Sequence, residues 1–282
     1  MTPKNEAVED LTTRVAVVTG ANSGIGLAAA EELARRGWAL ALVGRDKGRL
    51  ESALARVRAA ARAPVTAFQC DFVVLGDVRE LAGRLRDEHP RIDLLANNAG
   101  GAFAHRSTTV DGFEKTIQVN HLAHFLLSHE LREPLRGGRI VNTASGAHGR
   151  GSLDPDDLSS TGRTGRAMDI YGSAKQANIL FAAEAARRWP DILSTSYHPG
   201  LVRTRFGNES PVISFFLRVA PMLRTPAKGA DTLVWLATED RERLANGGYY
   251  MDRTQRQPAA KATDPALAAR LWEASLIAVG LA

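Results

Sequence analysis

The sequence predicts an α/β fold: a doubly wound, seven-stranded parallel sheet with helices on both faces, in a single domain over residues 13–282 behind a flexible segment, 1–12. Three observations lead there. Short apolar runs alternate with longer amphipathic stretches along nearly the whole chain, as parallel strands buried on both faces alternate with crossover helices. The first run opens into a glycine-rich turn and an alanine-rich amphipathic stretch. After the fourth run comes a polar, glycine-terminated loop, where the crevice of an open α/β sheet takes up ligands.

The chain has 282 residues, enough for one large core. It is 44% hydrophobic and 24% charged, with a net charge of +5 and an isoelectric point near 9.6. Its arginines are scattered along amphipathic stretches (Arg56, Arg58, Arg62, Arg84, Arg86), the pattern of solvated helix faces, so no nucleic-acid partner is expected. The lone cysteine, Cys70, excludes an internal disulfide and fits a reducing compartment. Residues 1–13 carry no apolar signal region, and no stretch reaches 18 uninterrupted apolar residues, so a cytoplasmic protein without stable membrane insertion is expected.

The first strand is the β-branched run 15–18. It leads through Thr19 into Gly20-Ala21-Asn22-Ser23-Gly24-Ile25-Gly26 and a helix to Arg36. The first N–H groups of such a helix lack intrahelical partners and lie at the positive end of its dipole. A diphosphate fits there provided no Cβ blocks it, which points to a dinucleotide; a tight turn without ligand is the bland alternative. The second strand, 38–43, ends at Gly44-Arg45-Asp46. An NAD site usually has an acid at the strand end for the adenosine ribose. Here that place is Gly44, followed by an arginine whose guanidinium can grip a 2′-phosphate, so NADP(H) is favoured over NAD(H). Asp46, one position on, is a competing ribose acceptor, and Arg45 is alternatively an exposed loop charge.

A charged helix over 47–62 precedes the third strand, 65–70, with Asp71-Phe72 at its end. Asp71 is a candidate cap for a helix over 76–88. The fourth strand, 92–96, leads to Asn97-Asn98-Ala99-Gly100-Gly101. Residues 111–134 read as largely helical, with Asn120 at a position where asparagine is a poor helix former. His121 and His124 stand three apart, but no third ligand of matched spacing is visible, so no metal site is expected. The fifth strand, 139–143, ends at Ala144-Ser145-Gly146, and the polar stretch 147–165 is long enough to form a site rim. Tyr171-Gly172-Ser173-Ala174-Lys175 opens a helix to about 188. The sixth strand, 192–198, precedes Pro199-Gly200-Leu201-Val202-Arg203-Thr204. An apolar segment, 211–223, reads as a lid helix within about 205–225 that walls a hydrophobic substrate, packs a partner subunit or touches a membrane surface. A helix over 226–239, a seventh strand within 247–251 and a helix over 265–277 complete the chain.

Tyr171 and Lys175 are four apart and share one helix face. A free tyrosine titrates near ~10. A neighbouring ammonium stabilises the phenolate, which predicts a depressed pKa for Tyr171. Ser145, at the end of a neighbouring strand, can hydrogen-bond a carbonyl oxygen. This constellation suits hydride exchange at a carbon bearing oxygen: Tyr171 moves the proton and Ser145 orients the oxygen.

Taken together, T-G-x-x-x-G-x-G at 19–26, N-N-A-G at 97–100, Asn120, Ser145 and Y-x-x-x-K at 171–175 resemble the short-chain dehydrogenase/reductase family, over about residues 12–280. The strings Val119-Asn120-His121-Leu122, Tyr171 through Leu180 and His198-Pro199-Gly200, with the long Ser145-to-Tyr171 connection, are similar to its retinol dehydrogenase and WW-domain-containing oxidoreductase branch. The resemblance implies a Rossmann sheet of order 3-2-1-4-5-6-7 and a catalytic set of Asn120, Ser145, Tyr171 and Lys175, with Asn120 holding a water that links the lysine to solvent. It implies cofactor contacts from Gly20, Asn22, Ser23, Gly24, Ile25, Gly26, Arg45, Asp71 (to the adenine amino group), Phe72, Asn98, Ala99, Gly100, Tyr171, Lys175, Pro199, Gly200, Val202 and Thr204, the last two at the nicotinamide carboxamide. It also implies NADP(H), an apolar alcohol or carbonyl substrate, and a homodimer or homotetramer paired through the helices of Asn120 and Tyr171. The sequence lacks the N-terminal membrane anchor of many retinoid enzymes and any WW module, so the branch does not name a substrate. Reduction of an activated C=C bond and a non-catalytic dinucleotide-binding regulator are the other readings.

Overall fold

In the computed structural model, residues 13–159, 167–202 and 223–282 are described. The predicted lid up to residue 222, Thr204 and part of the 147–165 rim lie outside them, as does the segment 1–12. The strands are β1 (Val15–Thr19), β2 (Ala39–Gly44), β3 (Val65–Gln69), β4 (Leu94–Asn97), β5 (Arg139–Thr143), β6 (Leu193–Tyr197), β7 (Tyr249–Met251) and β8 (Thr254–Arg256). They form one sheet of order β3-β2-β1-β4-β5-β6-β7-β8. Every neighbouring pair is parallel except β7–β8. The expected seven-strand order is present, and an eighth, antiparallel strand is added. Thr254–Arg256 is exposed along its length, so it carries no apolar signal. It pairs because a two-residue turn, Asp252-Arg253, folds it back on β7.

The helices are α1 (Gly24–Arg35), α2 (Lys47–Ala60), α3 (Leu75–Glu88), α4 (Lys115–Ile117), α5 (Ala123–Glu130), α6 (Ala167–Arg188), α7 (Pro226–Thr238) and α8 (Pro265–Ala278). Alternation along β1 and β2 sorts the core into two layers. Ala16, Val18, Leu40 and Leu42 face α1, α2 and α7, while Val17, Ala41 and Val43 face α3, α5, α6 and α8.

One local expectation is refined and one corrected. The 111–134 stretch is helical over 115–130, as α4 and α5 joined by a π-helical turn, Gln118–Leu122, that contains Asn120. An extra residue in a helical turn leaves apolar periodicity nearly intact, so the pattern hid it. Asp71 does not cap α3. The helix begins after Val74, and the N–H of Leu75 donates to Asp111 Oδ2 at 2.9 Å. Asp71 Oδ1 instead accepts from Val73 N at 3.2 Å, closing a turn.

The C-terminal helix α8 seals the outer side of the α5/α6 layer. Trp272, buried, sets its ring against Phe125 (5.2 Å between centroids), Trp189 (4.9 Å), His129 (4.9 Å) and Phe181 (5.8 Å). Part of the helix pair named for subunit contact is thus covered by the chain's own C-terminus. Close-packed aromatics contribute both transferred area and edge-to-face geometry. Trp272→Ala is expected to cost about 3–5 kcal/mol of stability, read as a drop in the denaturant midpoint at unchanged m-value.

Candidate active site

The carboxyl ends of β1 and β4 and the helix α5 meet at one side chain. Thr19 Oγ1 accepts from the N–H of Asn98 (2.8 Å) and of Ala99 (2.9 Å), and lies 3.1 Å from Ala96 O and 3.0 Å from His124 Nε2. The opposite ring nitrogen, Nδ1, faces the carbonyl of Asn120 at 3.2 Å. A carbonyl only accepts, so Nδ1 carries the proton and Nε2 is an acceptor, leaving the single Thr19 hydroxyl proton shared between Ala96 O and Nε2. Burial lowers His124 to about 3, which keeps the ring neutral for this arrangement. Asn98 Nδ2 donates to Thr19 O at 2.9 Å, closing the loop on the strand end.

The glycine turn is built for close approach. Gly20 has φ +67 and Gly24 φ +56, which only glycine adopts at little cost. A Cβ at Gly26 would strike the Gly20 carbonyl and the Asn98 amide. Ser23 is the N-cap of α1 but makes no side-chain cap bond, and the first turn holds no acid. The donors and the positive dipole end are therefore not neutralised by the cap side chain, the condition an anionic diphosphate requires.

Arg45 and Asp71 line one cleft of about 370 Å³ with Gln69, Cys70, Asp77, Glu80, Leu81 and Arg84. Arg45 is exposed. Asp46 is committed to α2: its Oδ1 accepts from Arg49 N at 2.9 Å. A side chain at Gly44 would meet Asn22 at 3.1–3.2 Å, so the strand end has little room for an acid. Phe72 is buried edge-on to His124, 5.0 Å between centroids. Burial and nearby acids push the Cys70 thiol up to about 12, leaving it a core residue.

Asn120 pins the loop after β4. Its Oδ1 accepts from Gly101 N (3.1 Å), and its Nδ2 donates to Gly101 O (2.9 Å) and Thr116 O (2.8 Å). A side chain at Gly100, φ +144, would collide with Asn120 Oδ1. The amide is thus spent on backbone and the Asn120 carbonyl on His124. These bonds make Asn120 a tie between the loop after β4 and the π-helical turn.

Ser145 ends β5's loop, and its side chain is hydrogen-bonded to Tyr171. Lys175, one turn along α6, donates from Nζ to Thr143 O at 3.0 Å and lies 5.5 Å from the centroid of the Tyr171 ring. The three expected catalytic side chains therefore converge. The expected acidification does not appear. Tyr171 is pushed up to about 12 by burial, only partly opposed by the Ser145 hydrogen bond. Burial also brings the Lys175 amine down to about 7. Both groups are out of water, and desolvation disfavours each charged form. At neutral pH the phenol is protonated.

Several site residues escaped the motif reading. His148, in the turn after Ser145, sets Nδ1 2.6 Å from Ser145 O and accepts the Ala259 N–H at Nε2 (3.0 Å). It ties the serine loop to the C-terminal segment 111 residues away. Asn178 shares the Thr143 carbonyl with Lys175, at 3.1 Å. Its position three after Lys175 was the available signal. His121 is held by Ser275 Oγ (3.0 Å) and the Asn178 side chain. Past β6, Gly200 N donates to His198 Nδ1 at 3.3 Å. Val202 and Ile25 of the glycine turn both lie against Gly229 of α7, where an added Cβ would fall 2.6 Å from Val202 and 3.2 Å from Ile25.

The short chain dehydrogenase family model matches residues 14–156. The chain belongs to that family. It is an oxidoreductase of the retinol dehydrogenase-like branch. It is 54% identical over 267 residues to a Streptomyces sp. (strain C5) protein named as the daunorubicin C-13 ketoreductase DnrU, covering 95% of this chain and 93% of that one. It is 34% identical over 281 residues to human retinol dehydrogenase 13, covering 95% and 85%. Among solved structures, a short-chain dehydrogenase from Sphingobium yanoikuyae in complex with NADPH superposes with a TM-score of 0.64 at 29% identity, over 78% of this chain and 82% of that one. Among the described residues no helix is long and apolar enough to cross a membrane.

The Lys175 shift sets a pH dependence of stability. Between pH about 7 and 10.5 the unfolded chain holds a proton that the folded chain has released. Stability therefore rises with pH across that window, and the full cost of the buried charge falls below it. Lys175→Met is expected to abolish turnover and to raise the unfolding midpoint most near about pH 6, with the gain shrinking toward about pH 10. Calorimetry across this range checks it; a pH-independent gain would contradict the buried-charge account.

Proposed function

We propose that this oxidoreductase uses NADP(H) to reduce a ketone or aldehyde on a small apolar molecule, with alcohol oxidation as the reverse reaction. The observation that carries the reading is the Ser145–Tyr171 hydrogen bond with Lys175 one turn away, beside a glycine turn cleared for a diphosphate. Gly20, Asn22, Ser23, Gly24, Ile25 and Gly26 would hold the diphosphate, Asn98, Ala99 and Gly100 the adenosine ribose side, and Pro199, Gly200, Val202 and Thr204 the nicotinamide end. Bound there, NADPH would supply the hydride for the carbonyl carbon.

The chain's own groups do the rest. Ser145 Oγ and the Tyr171 hydroxyl, hydrogen-bonded to each other, present two polar groups to one substrate oxygen. Tyr171, protonated at neutral pH, gives its proton to the developing alkoxide. Lys175, near the midpoint of its titration, stabilises the phenolate left behind. The ketoreductase name of the 54% identical relative supports reduction as the working direction. Asn120 and His124 keep the loop after β4 in register rather than touching substrate.

Arg45 supports NADP(H). It is free to meet a 2′-phosphate at the cleft mouth, while Asp46 caps α2 and Gly44 leaves little room for an acid. The NADPH complex of the Sphingobium yanoikuyae structure is consistent with this.

Following NADPH absorbance against a panel of apolar ketones and aldehydes tests the activity. Tyr171→Phe is expected to lower kcat about 10²–10⁴-fold while NADPH still binds; retained turnover would sink the mechanism. Arg45→Glu is expected to raise the KM for NADPH by at least about tenfold and to spare NADH, since a bidentate contact with the 2′-phosphate becomes repulsion. Equal effects on both cofactors would remove the case for NADP(H).

A further inference from the structure

Asp252 and Arg253 are the only non-glycine residues with positive φ among those described, at +53 and +58. They form the two-residue turn between β7 and β8, a turn type that favours Asn-Gly because both residues must be left-handed. Each strained residue has its side chain engaged. The Asp252 carboxylate takes the Arg224 guanidinium by both oxygens, Nη2 to Oδ2 at 2.9 Å and Nη1 to Oδ1. Arg253 forks onto Asp231 of α7, Nε to Oδ2 at 2.9 Å.

Arg224 in turn holds the loop after β6. Its N–H donates to Leu201 O at 2.7 Å, and its backbone bridges Val202 in parallel. Its guanidinium lies against Gly200, φ +82, where a Cβ would come within 2.5 Å of Nε. Gly200 is thus the residue that lets the arginine reach Asp252. The Arg224 and Asp252 side chains are 27% and 40% exposed, so solvent screens the pair in part. The two-oxygen contact fixes a link between the β7–β8 turn and the loop after β6.

We propose that Arg224 and Asp252 are positioning residues: a clamp that fixes the Pro199–Val202 loop, and with it Val202 against Gly229, at the nicotinamide end of the cofactor site. The inference rests on the NADP(H) reading. It assigns a role to β8, which otherwise only lengthens the sheet.

Asp252→Gly separates position from stability, because glycine relaxes the turn while removing the carboxylate. Full-length wild type, Asp252→Gly, Asp252→Asn and Arg224→Lys are titrated with NADPH and with 2′-phospho-ADP-ribose, which lacks the nicotinamide. Hydrogen exchange is measured over residues 198–202. For Asp252→Gly the clamp requires an unchanged or higher unfolding midpoint, faster exchange in that peptide, NADPH binding weakened about 5- to 20-fold and unchanged binding of 2′-phospho-ADP-ribose. Arg224→Lys behaves like Asp252→Gly, since an ammonium cannot make the fork, and Asp252→Asn, which tolerates the left-handed turn, is intermediate. Unchanged exchange, equal weakening of both ligands or unchanged NADPH binding overturns the clamp while leaving the NADP(H) reading intact. A wild type that binds neither ligand overturns both.

Discussion

The hydroxyl of Thr19 is shared by three segments distant in sequence: the end of β1, the loop after β4 and the helix behind the sheet. It accepts two backbone N–H groups and has a carbonyl and an imidazole as neighbours. An unpaired polar group at such a buried place costs about 1–3 kcal/mol, so all three segments are drawn to one register. The glycine turn, the Asn98–Gly101 loop and the π turn bearing Asn120 take their positions from it. His124 transmits the constraint, neutral because it is buried and directional because its other nitrogen faces a carbonyl.

Behind this frame, burial sets the chemistry. Tyr171 and Lys175 are both shielded from water, and each is shifted toward its neutral form. A phenol that keeps its proton and an amine that titrates near neutrality make a donor with a nearby reserve of charge. At Tyr171 desolvation dominates, opposed by the Ser145 hydrogen bond, and the pull of the lysine that spacing alone suggests does not show.

Much was legible in the residues. Apolar runs located most of the parallel strands to within a few positions, since strands buried on both faces are rich in apolar residues, although β6 buries Ser194, Thr195 and Ser196. The Tyr171–Lys175 spacing and the strand end at Ser145 correctly predicted that the three side chains would meet. The π turn at Gln118–Leu122 was hidden because one extra residue barely disturbs helical periodicity. β8 was hidden because its residues are polar and exposed. Asp71 looked like a helix cap by proximity, whereas the donor it would have served is taken by Asp111, 36 residues from Leu75.

The sequence by itself determined the alternation of strand and helix, the glycine turn and the shared helix face of Tyr171 and Lys175, because each depends on neighbours within a turn or two. Tertiary structure decided how those groups are charged, and which polar residues serve as ties rather than reagents. Solvation and hydrogen-bond partners depend on packing: His148 reaches Ala259, His121 reaches Ser275 and Arg224 reaches Asp252 only once the sheet has brought distant segments together.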